Sequence, residues 1–277
     1  MCCKKNFGHF REGFNLLYDI LAICIFAILN ITFLIIKPYH MQIPLERENV
    51  NVIYPKEDSI VPGSVLYPLS FVTPAVVIIL FGCLRKSPKF IVFGLLSLTL
   101  AAFINGTITN LGKIFAGRPR PSFYARQDDG DLVDSWKSFP SGHSSISFVG
   151  LVYTSLILAG QLKVFQKKHQ SWKLLIVIIP WLVAAFVAVS RTRDYHHNFG
   201  DIIGGTLIGV FVAFLVYFSK FNSLTDEHCD MMKIEEEEEE DKYEKINDAN
   251  VEVIVDHKED DQLLENNDMV VNDEVQE

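Results

Sequence analysis

Six long apolar runs constrain this chain more than any other feature of its sequence. They cover approximately Asn15 to Ile36, Val65 to Leu84, Phe90 to Gly112, Ser144 to Gln161, Leu174 to Ser190, and Asp201 to Ser219. Crossing about 30 Å of hydrocarbon takes roughly 20 helical residues, and runs without period-2 alternation favour helices over a barrel. The runs therefore predict an all-α fold, an integral membrane bundle of six helices.

The charges divide the chain into a basic body and an acidic tail. After Thr225 there are 22 of the 34 acidic residues and only 4 of the 25 Lys and Arg residues. This charge split and the apolar runs together exclude a single soluble globular domain. The tail contains an unbroken acidic run from Glu235 to Glu240 and few aromatic residues, a composition typical of disorder.

We expect three segments from these patterns. Residues 1–14 form a cytosolic N-terminus, residues 15–220 the six-span membrane domain, and residues 221–277 a disordered acidic cytosolic tail. The tail is interpreted either as a solvated extension or as a docking site for a basic cytosolic partner. Nothing in the sequence identifies that partner, and no nucleic-acid ligand is expected.

The density of Lys and Arg in the loops predicts the orientation of the bundle. An even number of spans puts both termini on one side, and that side carries eleven cations against ten on the other. The short loop with Arg85, Lys86 and Lys89 holds three cations in five residues on the side of the termini. We therefore expect both termini in the cytosol.

Three polar segments between the runs contain the residues with catalytic chemistry. In chain order they are Lys113-x6-Arg120-Pro121, Pro140-Ser141-Gly142-His143 and Ser190-Arg191-x5-His197-x3-Asp201. Alternating helix directions place the end of the third span, the start of the fourth, the end of the fifth and the start of the sixth at one membrane face. The topology alone therefore predicts that the three segments form one site.

The cations and glycine-containing turn of these segments suit a phosphate group. Lys113, Arg120 and Arg191 can surround a tetrahedral anion, and Arg can bind two phosphate oxygens at once. Backbone amides around Ser141 and Gly142 precede a helix, where the helix dipole favours an anion. The outer residues show no ligand spacing for a two-metal phosphatase, so we expect cations rather than a metal cofactor to stabilise the charge.

The histidines supply a nucleophile and an acid. His197 and Asp201 are four residues apart, a helical spacing that lets the carboxylate accept one imidazole proton and leave the other nitrogen free to attack. His143 can protonate the departing alkoxide at neutral pH. This arrangement predicts a phosphohistidine intermediate that water then hydrolyses.

The ordered motif triple resembles the signature of the type 2 phosphatidic acid phosphatase superfamily. The run Gly117-Arg-Pro-Arg-Pro121 is most similar to the lipid phosphate and diacylglycerol pyrophosphate phosphatases of that superfamily. The resemblance implies a six-span, Mg²⁺-independent enzyme that removes phosphate from phosphatidate, lysophosphatidate, sphingoid phosphates or diacylglycerol pyrophosphate at the lumenal or extracellular face. It also implies a catalytic set of His143 as acid, His197 as nucleophile and Asp201 as its partner, and a phosphate-binding set of Lys113, Arg120, Ser141, Gly142 and Arg191.

Other interpretations stay open at this point. The same site chemistry would serve a phosphatase of isoprenoid or soluble phosphoesters, and the fold alone would serve a non-catalytic membrane scaffold. A lipid phosphate held within the bilayer is the favoured substrate, because apolar helices beside the site leave its acyl chains in lipid. His196 adjoins His197, but its five-residue distance from Asp201 favours His197 as the nucleophile.

The remaining polar residues of the outer segments receive less specific predictions. We expect interfacial cations at Arg118, Arg126 and Arg193, and interface anchors at Trp136 and Tyr195. Asp194 either pairs with a neighbouring Arg or is a plain loop residue, and it receives no assigned role. Cys2 and Cys3 precede two lysines and are either S-acylated or free thiols. Asn30 and Asn105 match the glycosylation pattern but lie inside predicted spans.

Overall fold

The computed structural model of the chain describes residues 2–42, 51–166, 171–243 and 246–247, with side chains from Asn15 onward. Within these ranges six helices are long and apolar enough to cross a membrane. In chain order they are α1 (Cys2–Ile35), α2 (Gly63–Leu84), α3 (Pro88–Ala116), α4 (Gly142–Gln161), α5 (Ser171–Arg193) and α6 (Phe199–Lys220). The described residues contain no β-strand, so the predicted all-α bundle of six membrane helices is confirmed.

Helix α3 has well-defined ends that fix the first motif. Ser87 caps its start by accepting a hydrogen bond from the amide of Phe90 at 3.1 Å, and Pro88 occupies the first turn, where no amide is needed. Its end is set by Gly117, whose φ of +50° is readily adopted only by glycine. Lys113 therefore lies in the last turn, and residues 118–120 follow the helix without regular secondary structure.

Helix α4 is the central helix, with 78% of its apolar window buried inside the protein. It packs against α2, α3, α5 and α6. Glycines allow the close approach of α6, because a Cβ at Gly205 would lie 2.3 Å from the carbonyl oxygen of Ser141 and one at Gly209 would lie 2.5 Å from that of Ser145. This contact holds the starts of α4 and α6, which carry the second and third motifs, side by side.

Helix α1 lies at the edge of the bundle, with only 6% of its window buried. It packs along α3, where Thr107 donates a hydrogen bond to the carbonyl of Phe26 at 3.0 Å and Asn110 donates to Asn30 at 2.7 Å. An ion pair between Asp19 and Lys220 ties α1 to the end of α6. The S-acylation prediction for Cys2 and Cys3 concerns side chains outside those the structure describes.

The segment after α6 folds back against the bundle. Cys229 and Met232 are buried there, and the side chain of Gln161 donates to the carbonyl of Asp230 at 2.7 Å. The compact unit consequently extends to Lys233, past the end of the last apolar run, because this acidic segment also contains apolar side chains that can be buried. Residues 233–243 and 246–247 are helical, and residues 244–245 and 248–277 of the predicted disordered tail lie outside the described residues.

Candidate active site

The three motif segments meet at one end of the bundle, around a cavity of about 700 Å³. Five of the predicted site residues line this cavity: Lys113, Arg120, Gly142, His143 and His197. The other three, Ser141, Arg191 and Asp201, are buried behind the lining. The structure thus brings the predicted residues together in two layers, one facing the cavity and one supporting it.

His197 lies at the centre of the site, in the turn before α6. Its Nε2 is 3.2 Å from Nη1 of Arg120, and its Nδ1 is 3.8 Å from Oδ2 of Asp201. A guanidinium offers only donors, so Nε2 must accept and the ring proton must be on Nδ1, facing the carboxylate. Burial, followed by the charge of Arg120, lowers the pKa of His197 to about 3. The ring is therefore neutral at physiological pH, with its lone pair on Nε2.

Asp201 is held by several hydrogen bonds at once. Oδ2 accepts from the hydroxyl of Ser138 at 2.6 Å and from the amide of Asn198 at 2.9 Å, and Oδ1 accepts from Nη1 of Arg118 at 2.9 Å. Asn198 and Asp201 also form a reciprocal capping box at the start of α6. These contacts fix the carboxylate opposite Nδ1 of His197.

Arg118 corrects one of the sequence predictions. Instead of a simple interfacial cation, it is an ion-pair partner of Asp201, and 36% of its side chain remains exposed while the carboxylate is fully buried. No local sequence pattern indicates this contact, because the two residues are 83 positions apart. Arg118 thereby offsets the charge of a carboxylate that would otherwise be buried without a cation beside it.

Arg120 lines the cavity and is held in a fixed position by contacts on both sides of its guanidinium. Its Nε donates to the carbonyl of Asp134 at 2.9 Å, Nη1 donates to the carbonyl of His196 at 3.0 Å, and Nη2 pairs with Oδ2 of Asp134 at 2.9 Å. Burial acts to raise the pKa of the Asp134 carboxyl, but the charges of Arg120 and Lys113 outweigh it and hold that pKa below its ordinary value. Asp134 is therefore an anion that lines the cavity beside the predicted phosphate ligands.

Arg191 is completely buried and paired with Asp194. Nη2 of Arg191 lies 2.6 Å from Oδ2 of Asp194, with side-chain exposures of 0% and 1%. Nη1 donates to the hydroxyl of Ser59 at 3.1 Å, and the amide of Ile60 donates to Asp194 at 3.2 Å. Arg191 thus lies one layer behind the cavity, and the outer loop containing Ser59, which lines it, closes over the pair.

Ser59 is a site residue that the sequence predictions missed, and Asp194 is one to which they assigned no role. Asp194 follows Arg191 by three residues, a spacing that puts the two on one helix face and favours the Arg pair over the plain loop residue. Ser59 is 132 positions from Arg191, and nothing local marks it. The neighbouring His196 points away from Asp201, with Nδ1 2.8 Å from the carbonyl of Asp194 and Nε2 3.4 Å from Ser59.

The start of α4 presents backbone donors to the cavity. Ser141 caps the helix through its side chain, which accepts from the amide of Ser144 at 3.3 Å, and its own amide donates to the carbonyl of Asp201 at 2.9 Å. For the amides of Gly142 and His143 the described part of the chain provides no acceptor. Nε2 of His143 is also buried without a hydrogen-bond partner there. These groups, together with Lys113, remain available to an anion.

Two further predictions about the outer loop are wrong. Arg126 is not interfacial, since it is buried and bonded to Asp131 and Asp134 at 2.8 Å and 3.2 Å. Trp136 is not an interface anchor, since it is buried, stacks on His40 at 4.4 Å and packs edge-on against Phe123. The loop residues between α3 and α4 therefore form a small core of their own that supports Arg120.

The arrangement can bind and attack a tetrahedral anion. It offers the neutral imidazole of His197, the imidazole of His143, the cations Lys113 and Arg120, and free amides at a helix start, where the dipole favours negative charge. Among the residues the structure describes, no group of three or more His, Cys, Asp or Glu is arranged to hold a metal ion. The cavity continues from these polar groups into the apolar part of the bundle.

Comparisons with known proteins agree with this geometry. Residues 94–224 match the PAP2 superfamily. The chain is 36% identical to a PA-phosphatase related-family protein of Dictyostelium discoideum (77% of this chain, 82% of the relative), and 35% identical to lipid phosphate phosphatase 2 of Arabidopsis thaliana (74% and 77%). It is 30% identical to diacylglycerol pyrophosphate phosphatase 1 of Saccharomyces cerevisiae (76% and 81%). No solved structure matches.

Proposed function

The chain belongs to the PAP2 superfamily and is a membrane hydrolase of lipid phosphates, and we propose that it works through a phosphohistidine on His197 without Mg²⁺. The proposed substrates are phosphatidate, lysophosphatidate, diacylglycerol pyrophosphate and related lipid phosphates. The observation that carries the proposal is the neutral His197 ring, whose Nε2 lone pair lies at the cavity beside Arg120 while Nδ1 faces Asp201.

The phosphate group is placed between the cations and the start of α4. Lys113 lies near Gly142, with Nζ 3.6 Å from the position a Cβ would take there. A phosphate at this point meets Lys113, the guanidinium of Arg120, and the amides of Gly142 and His143. Ser141 and Arg191 then support the phosphate site from behind, Ser141 as a helix cap and Arg191 through its buried charge.

The first chemical step forms a covalent intermediate. An N–H of Arg120 occupies the lone pair of His197 at 3.2 Å, and an incoming phosphate draws that guanidinium onto its own oxygens. Nε2 then attacks phosphorus, and the bond from phosphorus to the lipid oxygen breaks. His143, which the negative charge of the bound phosphate keeps protonated, gives its proton to the departing alkoxide. The Nδ1 proton stays on the ring, and its positive charge is stabilised by Asp201.

The second step releases the phosphate. Water gives a proton to His143, now neutral, while its oxygen bonds to phosphorus. The bond between phosphorus and Nε2 breaks, and its electron pair returns to His197. Inorganic phosphate leaves, and His143 is again protonated for the next cycle. Throughout both steps, Lys113, Arg120 and the helix-start amides stabilise the charge on the equatorial oxygens.

We propose that this site faces the lumen or the cell exterior and that both termini are cytosolic. The cations Arg85 and Lys86 lie at the opposite end of the bundle from the site, as the positive-inside rule requires for a cytosolic face. Substrate comes from the bilayer, because the cavity extends from the histidines between apolar side chains such as Leu34 and Phe71. The acyl chains can then remain in lipid while the headgroup is cleaved.

Phosphate release from phosphatidate in mixed micelles tests the mechanism. We expect His197→Asn and His143→Asn each to abolish release at normal protein level, and EDTA to leave wild-type activity intact. His228→Asn is the matched control, because His228 is exposed on the segment after α6. Activity that survives His197→Asn, or disappears with EDTA, would contradict the proposed mechanism.

A further inference from the structure

A row of residues on α3 leads from the phosphate site into the membrane interior. Asn105, Thr109 and Lys113 follow one another at intervals of four, so they share one helix face, and all three line the cavity. At a rise of about 1.5 Å per residue, each step descends about 6 Å. Ser145 accepts hydrogen bonds from both lower side chains and itself donates to the carbonyl of Gly142 at 3.2 Å. The two side chains therefore lie next to the start of α4, near the part of a lipid that adjoins its phosphate.

Hydrogen bonds fix the orientation of the Asn105 amide. Ser145 donates its one hydroxyl proton to the carbonyl of Gly142 at 3.2 Å and accepts from Thr109 at 2.9 Å. Asn105 lies 3.3 Å from the same hydroxyl, and because that hydroxyl has no second proton to give, the amide presents its NH₂ group to it. The oxygen, Oδ1, consequently points away from Ser145.

Oδ1 of Asn105 is a buried acceptor without a donor. The residue is only 1% exposed, and within the described residues Oδ1 has no hydrogen-bond partner. The other cavity-lining amides nearby are paired with each other, since Asn110 donates to the amide oxygen of Asn30 at 2.7 Å. A buried polar atom without a partner is destabilising, so a cavity occupant with a donor gains affinity by supplying one.

The missing partner restricts the chemistry of that occupant. A hydroxyl or ammonium group can donate to Oδ1, whereas an ester oxygen can only accept. Lipid phosphates differ at this position, on the carbon next to the phosphate-bearing one. Lysophosphatidate carries a hydroxyl there and sphingoid phosphates an ammonium group, whereas phosphatidate carries an ester.

We propose that Asn105, oriented by Ser145 and Thr109, is a specificity subsite for lipid phosphates that carry a free hydroxyl or ammonium group beside the phosphate. This inference rests on the proposed phosphatase function of the same cavity. Monoacyl and sphingoid phosphates are then preferred over diacyl phosphates, and the preference comes from one hydrogen bond rather than from the number of acyl chains.

Two substrates that differ in one hydroxyl test the subsite in the full-length enzyme. Lysophosphatidate is compared with 3-acyloxypropyl phosphate, the same molecule without its 2-hydroxyl, by kcat/KM in mixed micelles. We expect the wild type to prefer lysophosphatidate by about fivefold, the ratio that one net hydrogen bond provides. We expect Asn105→Leu to reduce the ratio to about one, chiefly by slowing lysophosphatidate.

A control variant and a second substitution complete the design. Thr99→Val removes a lipid-facing hydroxyl of α3 that bonds only within its own helix and should keep the wild-type ratio. Asn105→Ala replaces Asn105→Leu if the latter does not fold. Equal rates for both substrates in the wild type, or a variant that slows both equally, would overturn the subsite. Absence of hydrolysis of either substrate by the wild type would instead refute the proposed function.

Discussion

The contact between α4 and α6 at Gly205 allows a quantitative test of how the site is positioned. In Gly205→Ala the new Cβ would lie 2.3 Å from the carbonyl oxygen of Ser141, and a displacement of about 0.7 Å is needed to reach 3.0 Å, the shortest contact a real Cβ tolerates. Backbone is on both sides of this contact, so no side chain can rotate away. The starts of α4 and α6 must therefore separate.

That separation acts on stability and catalysis by different amounts. Overpacking a tight interface typically costs about 1–3 kcal/mol, which lowers the unfolding temperature without abolishing the fold. The same displacement moves His143 and Gly142 on α4 away from His197 before α6. Since a 1 Å misplacement of reacting groups can cost about 100-fold in rate, we expect kcat to fall by about 30- to 100-fold.

The assay combines thermal unfolding in detergent with kcat for phosphate release. Gly160→Ala is the matched control, because its Cβ would lie 2.6 Å from the carbonyl oxygen of Cys229, at the other end of α4. We expect it to lose similar stability but to keep kcat within a few-fold of wild type. If Gly205→Ala keeps full activity, or if Gly160→Ala loses as much activity as Gly205→Ala, the positional argument is refuted.

Three other predictions concern the supporting groups. The pKa of His197 is lowered to about 3 from 6.5, so between these two values the unfolded state binds a proton that the folded state does not. Acidification through this window should therefore destabilise the wild type by up to about 1.4 kcal/mol per pH unit. Thermal unfolding at pH 7.5, 6 and 5 measures this loss, which should be smaller for His197→Gln. Arg118→Gln should lower kcat by about tenfold or more with little change in KM, because Asp201 loses its cation; an unchanged kcat would show that Arg118 has no influence on the site. Asp194→Asn should destabilise the protein by about 3 kcal/mol, since it leaves the buried charge of Arg191 unpaired; an unchanged unfolding temperature would contradict the importance of the pair.

The helices and the convergence of the motifs could be predicted because both depend on simple rules. Continuous apolar runs of spanning length leave the backbone no alternative to a helix in lipid, and alternating directions decide which ends meet. Even Pro180 leaves α5 continuous, as proline often does in membrane helices. The boundaries differ most where polar residues extend a helix past its apolar run, as at the start of α1, which begins at Cys2 rather than Asn15.

The supporting contacts of the site could not be predicted, because they join distant parts of the chain. Ser59 reaches Arg191 and Arg118 reaches Asp201 only after the loops have packed. Their types are those of ordinary interfacial residues, so composition carries no signal. Asp194 is different, since its three-residue spacing from Arg191 was visible in the sequence and its burial was not.

The capping of α6 by Asp201 has an evolutionary consequence. One carboxylate both completes the capping box in the first turn of α6 and faces His197. Its replacement therefore removes a hydrogen bond worth about 1 kcal/mol together with the orientation of the imidazole. The side chains of the two histidines cap no helix in the described part of the chain and so make no comparable contribution to the stability of the fold. A descendant that abandoned catalysis would therefore be expected to lose His143 or His197 first and to retain Asp201, leaving a carboxylate whose persistence records stability rather than activity.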